Sequence, residues 1–291
     1  MIRKLRIFLE MIKFEHTIFA LPFAFMGALL GAVVMEKRLP EWSEIGWILL
    51  AMIGARSAAM GLNRVIDSAI DKRNPRTAKR AIPAGLLRIS EVLLFSLISF
   101  VLLFLASSRL EPICMQLMPI AVFMLVLYSY TKRFTWLCHV VLGLTIGLAP
   151  LGAWVAVTGS FDLSAWILYV AVVFWLAGFD IIYACQDFDF DRKDGVHSIP
   201  ARFGLKNALR MARAFHVITA VGFFLLFAST PLSWGYLIGT VIAAGILFYE
   251  HWLVKPNDIS RVQTAFFTMN GALSTVLFVF TLFDLVVLRT W

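Results

Sequence analysis

Three polar side chains recur at four-residue intervals, Asn63, Asp67 and Asp71. At 100° per residue they fall along one side of a helix. Arg56, seven residues before Asn63, lies on the same stripe two turns deeper. Stacked carboxylates repel one another unless a cation sits between them. Hard oxygen ligands with room left for water and phosphate are what Mg²⁺ prefers. The bland alternative is a solvated helix end with a chance DxxxD, and a second copy weighs against it. Asp180, Asp187 and Asp191 repeat the seven-then-four spacing of Arg56, Asn63 and Asp67, again at the end of an apolar segment. Each copy is followed by Ile-Pro-Ala, at 82–84 and at 199–201. This echo predicts two similar halves, about 14–135 and 136–291, whose polar helix ends face one another. Between them it predicts a site for a metal ion and a diphosphate.

The remaining charged residues fit that chemistry in part. Lys72, Arg73, Arg76, Lys79 and Arg80 follow the first acidic motif, and Tyr128, Lys132 and Arg133 close the apolar segment that ends in YSYTKRF. A chelated diphosphate still needs cationic donors from neighbouring elements, although such runs also serve as topology signals. Arg56 is the one basic residue deep in an apolar span, where a charge must face the interior and meet an anion. A salt bridge to Asp180 and capture of a substrate carboxylate or phosphate explain it equally well. The run DFDFDRKDG at 187–195 is not a calcium loop, because Arg192 and Ser198 stand where Gly and a bidentate Glu are required. On a helix Asp187 and Asp191 face one way and Asp189 the other.

The elements that must position these groups are membrane helices. The 291 residues are 60% hydrophobic and 15% charged, with mean hydropathy +0.84, too little polar surface for a soluble domain of this length. Apolar length predicts an all-α polytopic membrane protein with nine spans, at about 16–35, 45–65, 92–109, 113–130, 137–158, 164–186, 213–230, 232–250 and 265–288. Residues 1–13 form a basic amphipathic segment with Leu5, Phe8 and Ile12 on one face, suited to the membrane interface. Lys37, Arg38, Arg109 and Arg289 fall on one side, Arg56 lies within a span, and the other Lys and Arg fall on the opposite side. The positive-inside rule makes that second side cytoplasmic, with the N-terminus and both acidic motifs. The same rule accounts for the net charge of +8 without nucleic acid. Pro22, Pro119 and Pro150 lie within spans and should kink them. The long segments 66–91 and 187–212 read as lids. Cys114, Cys138 and Cys185 lack metal-ligand spacing, and disulfides are not expected.

The ordered motifs NRVIDSAID, RTAKRAIPAG, YSYTKR and DIIYACQDFDFD resemble those of the UbiA superfamily of intramembrane prenyltransferases, and the likeness covers essentially the whole chain. The resemblance implies nine helices around a central cavity under a cytoplasmic cap, and Mg²⁺-dependent transfer of a prenyl group from polyprenyl diphosphate to an acceptor within membrane lipid. It implies that Asn63, Asp67, Asp71, Asp187 and Asp191 hold the metal and diphosphate. Arg64, Lys79, Lys132 and Arg133 would contact the diphosphate or acceptor, and Asp180 and Tyr183 would stand near the reacting carbon. Arg64 departs from the pattern, since many members have Asp there. KFEHTIFALPF and NPRTAKRAIPAG are most similar to bacterial 4-hydroxybenzoate polyprenyltransferases, which implies an aromatic acid acceptor, quinone biosynthesis and the bacterial inner membrane. Relatives that prenylate a dihydroxynaphthoate for menaquinone are the alternative. A transporter or lipid-binding protein without chemistry is the rival of another class, disfavoured because transport sites usually lie near the membrane midplane.

Overall fold

The computed structural model describes residues 2–12, 20–289 and 291. Among these every regular element is helical, and the only β contact is an isolated bridge between Lys255 and Asp258. The helices are α1 (Ile2–Met11), α2 (Leu21–Glu36), α3 (Trp42–Ile66), α4 (Ser68–Arg73), α5 (Ile89–Ser107), α6 (Ile113–Thr131), α7 (Cys138–Thr158), α8 (Leu163–Ala184), α9 (Phe188–Asp194), α10 (Ile199–Ser229), α11 (Trp234–Leu253) and α12 (Asn270–Leu282). π-helical turns at Thr264–Met269 and Phe283–Leu288 extend α12 at both ends.

Eight helical segments of the described residues are long and apolar enough to cross a membrane, rather than the nine expected. The first expected span, 16–35, corresponds to the shorter apolar α2; its opening residues 16–19, with the whole KFEHTIF segment, lie outside the described residues. Pro22 does not kink α2 but opens it, where a missing N–H costs nothing. Helices α6 and α7 run on through Pro119 and Pro150.

Packing explains the order of burial. Helix α2 is apolar all round and sits in the middle, with ten of its residues buried from Phe23 to Val33. It meets α7 closely, since a Cβ at Gly27 would fall 2.2 Å from the Pro150 carbonyl oxygen. In lipid, where no hydrophobic force draws helices together, such small-residue contacts let backbones approach and gain dispersion energy. The main core joins α2, α7, α8, α10, α11 and α12 around Trp154, Trp175, Tyr236, Phe23 and Phe223. Helices α5 and α6 are peripheral and point Leu94, Leu97 and Phe123 outward. The same neighbour relation recurs in both halves: α3, which ends at the first acidic motif, packs on α5, and α8, which ends at the second, packs on α10.

The two segments expected as loop lids are largely ordered caps. Segment 66–91 holds α4 and a series of hydrogen-bonded turns, and segment 187–212 holds α9 and the start of α10. Gly195 ends α9 at φ 73°, and Gly204 breaks α10 at φ 77°, both in the left-handed region that glycine enters without a steric penalty. Ser198 caps α10, its hydroxyl accepting from the Ala201 N–H, with Pro200 in the first turn. Helix α1 also differs from expectation. Phe8 and Ile12 are buried against Ala81, Leu87 and Val92, so this face packs on the bundle, while Leu5 remains exposed.

Candidate active site

A cavity of about 200 Å³ lies where α3, α6 and α8 end, roofed by the two caps. Its first wall comes from Asn63, Arg64, Asp67 and Asp71. Helix α3 stops at Ile66 and the chain restarts as α4 after a tight step at Asp67, yet the four-residue spacing still turns these side chains to one side. The second wall comes from Asp180, Tyr183, Asp187 and Asp191. Here α8 tightens into a 3₁₀ turn at Cys185–Asp187 and resumes as α9, which points Asp191 inward and leaves Asp189 exposed. Tyr128 and Lys132 complete the lining from α6.

Three of the five aspartates on these walls are matched by a Lys or Arg. Lys132 Nζ lies 2.6 Å from Asp67 Oδ2, and Asn63 Nδ2 donates to the same oxygen at 2.8 Å. Arg80 donates from one nitrogen to both oxygens of Asp71, at 2.7 and 2.9 Å. Arg76 reaches across from the first cap and grips Asp187 through Nε (2.8 Å) and Nη2 (2.5 Å), joined by Asn74 Nδ2 at 2.9 Å. The third arm of Arg76 donates to the Tyr183 hydroxyl at 3.0 Å. Outside the cavity Arg73 pairs with Asp194 at 2.7 Å, a second link between the caps. Burial pushes the Asp67 carboxyl above its ordinary value although Lys132 opposes the shift. Burial also works against the Arg76 charge, but the pair with Asp187 outweighs it and raises the guanidinium's pKa.

Two buried polar atoms of the cavity lining lack hydrogen-bond partners: Asp67 Oδ1, which has Arg133 Nη2 only at 3.7 Å, and Arg64 Nε. Such atoms carry a desolvation cost until a ligand meets them. One is a hard anionic oxygen and the other a cationic N–H, so together they fit a divalent cation and its phosphate counterpart. Among the described residues no three His, Cys, Asp or Glu side chains converge closely enough to enclose a metal by themselves. That donor set suits Mg²⁺, which usually takes one or two carboxylates and completes its shell with water and phosphate.

Deeper in the cavity, Asp180 Oδ2 is 2.6 Å from His139 Nδ1. The backbone N–H of Ile199 donates to the other ring nitrogen, Nε2, at 3.3 Å. With Nε2 accepting, the imidazole proton lies on Nδ1 and is donated to Asp180. Tyr183 stands beside this pair, its ring 4.2 Å from that of Phe266 in the π turn and 6.3 Å from that of Phe267.

The sequence-derived residues therefore separate. Asn63, Arg64, Asp67, Asp71, Tyr128, Lys132, Asp180, Tyr183, Asp187 and Asp191 share the cavity. Arg56, Lys79 and Arg133 do not line it. Arg56 is half-buried on α3, and the partner found on Asp180 is His139. Lys79 is exposed, and its neighbours Arg76 and Arg80 turn inward instead. Arg133 donates to the Ile66 carbonyl and so caps α3. Asn74, Ser129 and His139 were missed by sequence reasoning. Only His139 left a signal, an ionisable residue at the head of an apolar span.

The chain matches the UbiA prenyltransferase family over residues 21–272. It is 30% identical over 232 residues to 4-hydroxybenzoate octaprenyltransferase of Aliivibrio fischeri (strain MJ11), covering 80% of each chain. To the protein of the same name from Tolumonas auensis it is 31% identical over 236 residues, covering 80% of this chain and 81% of the other. Its fold superposes on the apo structure of a UbiA homolog from Aeropyrum pernix K1 with TM-score 0.84 and 30% identity, over 94% of this chain and 98% of that one. A UbiA homolog from Archaeoglobus fulgidus bound to GPP and Mg²⁺ shares the fold at TM-score 0.73 and 18% identity, over 94% and 99% of the two chains. This chain belongs to the UbiA prenyltransferase family.

Proposed function

We propose that the protein transfers a polyprenyl group from its diphosphate to the ring of an aromatic acid, with 4-hydroxybenzoate as the acceptor and Mg²⁺ as the metal. The observation that carries the reading is the single cavity in which two acidic helix ends, their cations and the Asp180–His139 pair converge. The names of the curated relatives and the GPP and Mg²⁺ of the A. fulgidus homologue support it. The cavity opens to the cytoplasm in this reading, because the basic residues gather on its side of the bilayer.

Asp67, Asp71, Asp187 and Asp191 would hold Mg²⁺, which supplies charge neutralisation of the departing diphosphate. Once those carboxylates have another cation to face, Lys132, Arg80 and Arg76 are released to donate to phosphate oxygens, alongside the buried Arg64. The allylic C–O bond breaks and its electron pair leaves with the diphosphate. The rings of Tyr183 and Phe266 face the resulting cation and keep water from it. The acceptor ring forms the new C–C bond at the carbon ortho to its hydroxyl. Asp180, held in place by the His139 Nδ1–H, takes the ring proton.

The test is release of pyrophosphate, and formation of a ring-prenylated product, by detergent-solubilised protein given geranyl diphosphate and Mg²⁺. 4-Hydroxybenzoate and a dihydroxynaphthoate are supplied in parallel. Product with 4-hydroxybenzoate is expected. Product only with the naphthoate would reassign the acceptor, and binding of the diphosphate without pyrophosphate release would favour a protein without chemistry.

A further inference from the structure

A second cavity lies elsewhere in the molecule. A groove of about 640 Å³ runs between α10 and α11 and shares no lining residue with the catalytic cavity. Its volume lies within the range of small-molecule sites, about 300–1,000 Å³. Lys206, Arg210 and Arg213 follow one another along its α10 wall at helical spacing, and Lys255 stands opposite them just beyond the end of α11. Past Arg213 the α10 wall turns apolar, and the antiparallel α11 wall does the same in reverse, through Phe248 and Ala244. Both walls therefore grade from cationic to apolar in the same direction, which is the profile of an amphiphile with an anionic head.

The charges at the head end contrast with those of the catalytic site. There Lys132, Arg76 and Arg80 are each held by an aspartate, whereas Lys206, Arg210 and Arg213 form no ion pair with an acidic side chain among the described residues, and Lys255 has only the exposed Asp258 nearby. No acidic side chain lines the groove. The head end is also marked as a membrane–water boundary. Trp252 and Tyr249 are exposed and stacked at 5.6 Å, and Lys255 Nζ lies 5.8 Å from the Trp252 ring centre. Exposed Trp and Tyr with Lys beyond them are the usual anchors at headgroup level. The groove floor is fixed rather than collapsible. His251 Nε2 and His216 Nδ1 are 2.9 Å apart, and His216 Nε2 reaches the Trp175 carbonyl of α8 at 3.3 Å.

We infer that this groove binds an anionic phospholipid, with the headgroup phosphate held by Lys206, Arg210, Arg213 and Lys255 and an acyl chain lying along the apolar walls. A free phosphate would use only the head end and leave the graded walls without purpose. A zwitterionic lipid would bring its own cation to a site that already has four.

Native mass spectrometry of the full chain in non-ionic detergent tests this with phosphatidylglycerol and phosphatidylcholine of identical acyl chains. Preferential retention of phosphatidylglycerol is expected. At about fivefold per basic residue near a membrane surface, the paired variant R210Q/R213Q should weaken retention roughly 30-fold. Ala244→Trp, which fills the apolar half and leaves every cation in place, should also weaken it, so the inference stays testable if the charge variant does not fold. Lys193→Gln, an exposed cation outside the groove, should leave retention unchanged. Equal retention of the two lipids, or an Ala244→Trp variant that binds phosphatidylglycerol normally, would overturn the proposal. Displacement by millimolar inorganic phosphate or by geranyl diphosphate would also overturn it, assigning the groove to a free anion or to the substrate.

Discussion

The two acidic helix ends look alike in sequence and are held differently in space. At the first, Asp67 and Asp71 take their cations from their own half, from Lys132 on α6 and Arg80 in the following cap. At the second, Asp187 takes Arg76 and Asn74 from the cap of the other half. The first half thus supplies cations to both ends, while the second supplies Asp180, Tyr183 and the His139 that orients Asp180. In the proposed reading the labour is divided: one end serves the diphosphate and the other joins it to the reacting carbon. The Arg76 contact spans 111 residues of sequence and bridges Asp187 and Tyr183, so in that reading it would couple the two roles.

The largest effect should come from the first end. Asp67→Ala is expected to lower turnover by about 10²–10³-fold, the typical loss of one electrostatic stabiliser. Folding should survive, because the lost carboxylate is costly to bury, and a thermal melt in detergent checks this. If the two ends were equivalent, Asp191→Ala would match it in both turnover and Mg²⁺ dependence.

Next in size is the chemistry assigned to the second end alone. Asp180→Asn should reduce product formation by about 10²-fold, the low end for a positioned acid or base, while binding of the prenyl diphosphate persists. Isothermal titration against a non-hydrolysable diphosphate analogue separates the two. Weakened diphosphate binding in this variant would mean that the division of labour is wrong. Arg76→Ala should cost less, about tenfold, and should raise the KM for the diphosphate, since Arg64, Arg80 and Lys132 remain to hold it.

The smallest effects sharpen the comparison within the first cap. Lys79→Ala should stay within twofold of the parent in turnover, and Arg80→Ala should not, because only Arg80 turns toward Asp71. Arg73→Ala removes an exposed, solvent-screened pair with Asp194, and initial-rate measurements should barely register it.

Much of this was legible in order along the chain because helical periodicity is local. Spacing of four put Asn63, Asp67 and Asp71 on one face and Asp187 with Asp191 opposite Asp189, and the backbone followed even through the step at Asp67 and the 3₁₀ turn before α9. Apolar length placed most spans within a few residues. What periodicity could not reach was the choice of partners. Which of Arg76, Lys79 and Arg80 turns inward depends on the phase of an irregular cap, where no fixed angle per residue applies. The five histidines are scattered in the sequence, yet folding sets His139 on Asp180 and His216 on His251. Those pairings depend on how one helix crosses another. The α7–α8 crossing depends on the fit of small residues such as Gly143 against the Val173 carbonyl, a property of two surfaces meeting and not of either segment alone.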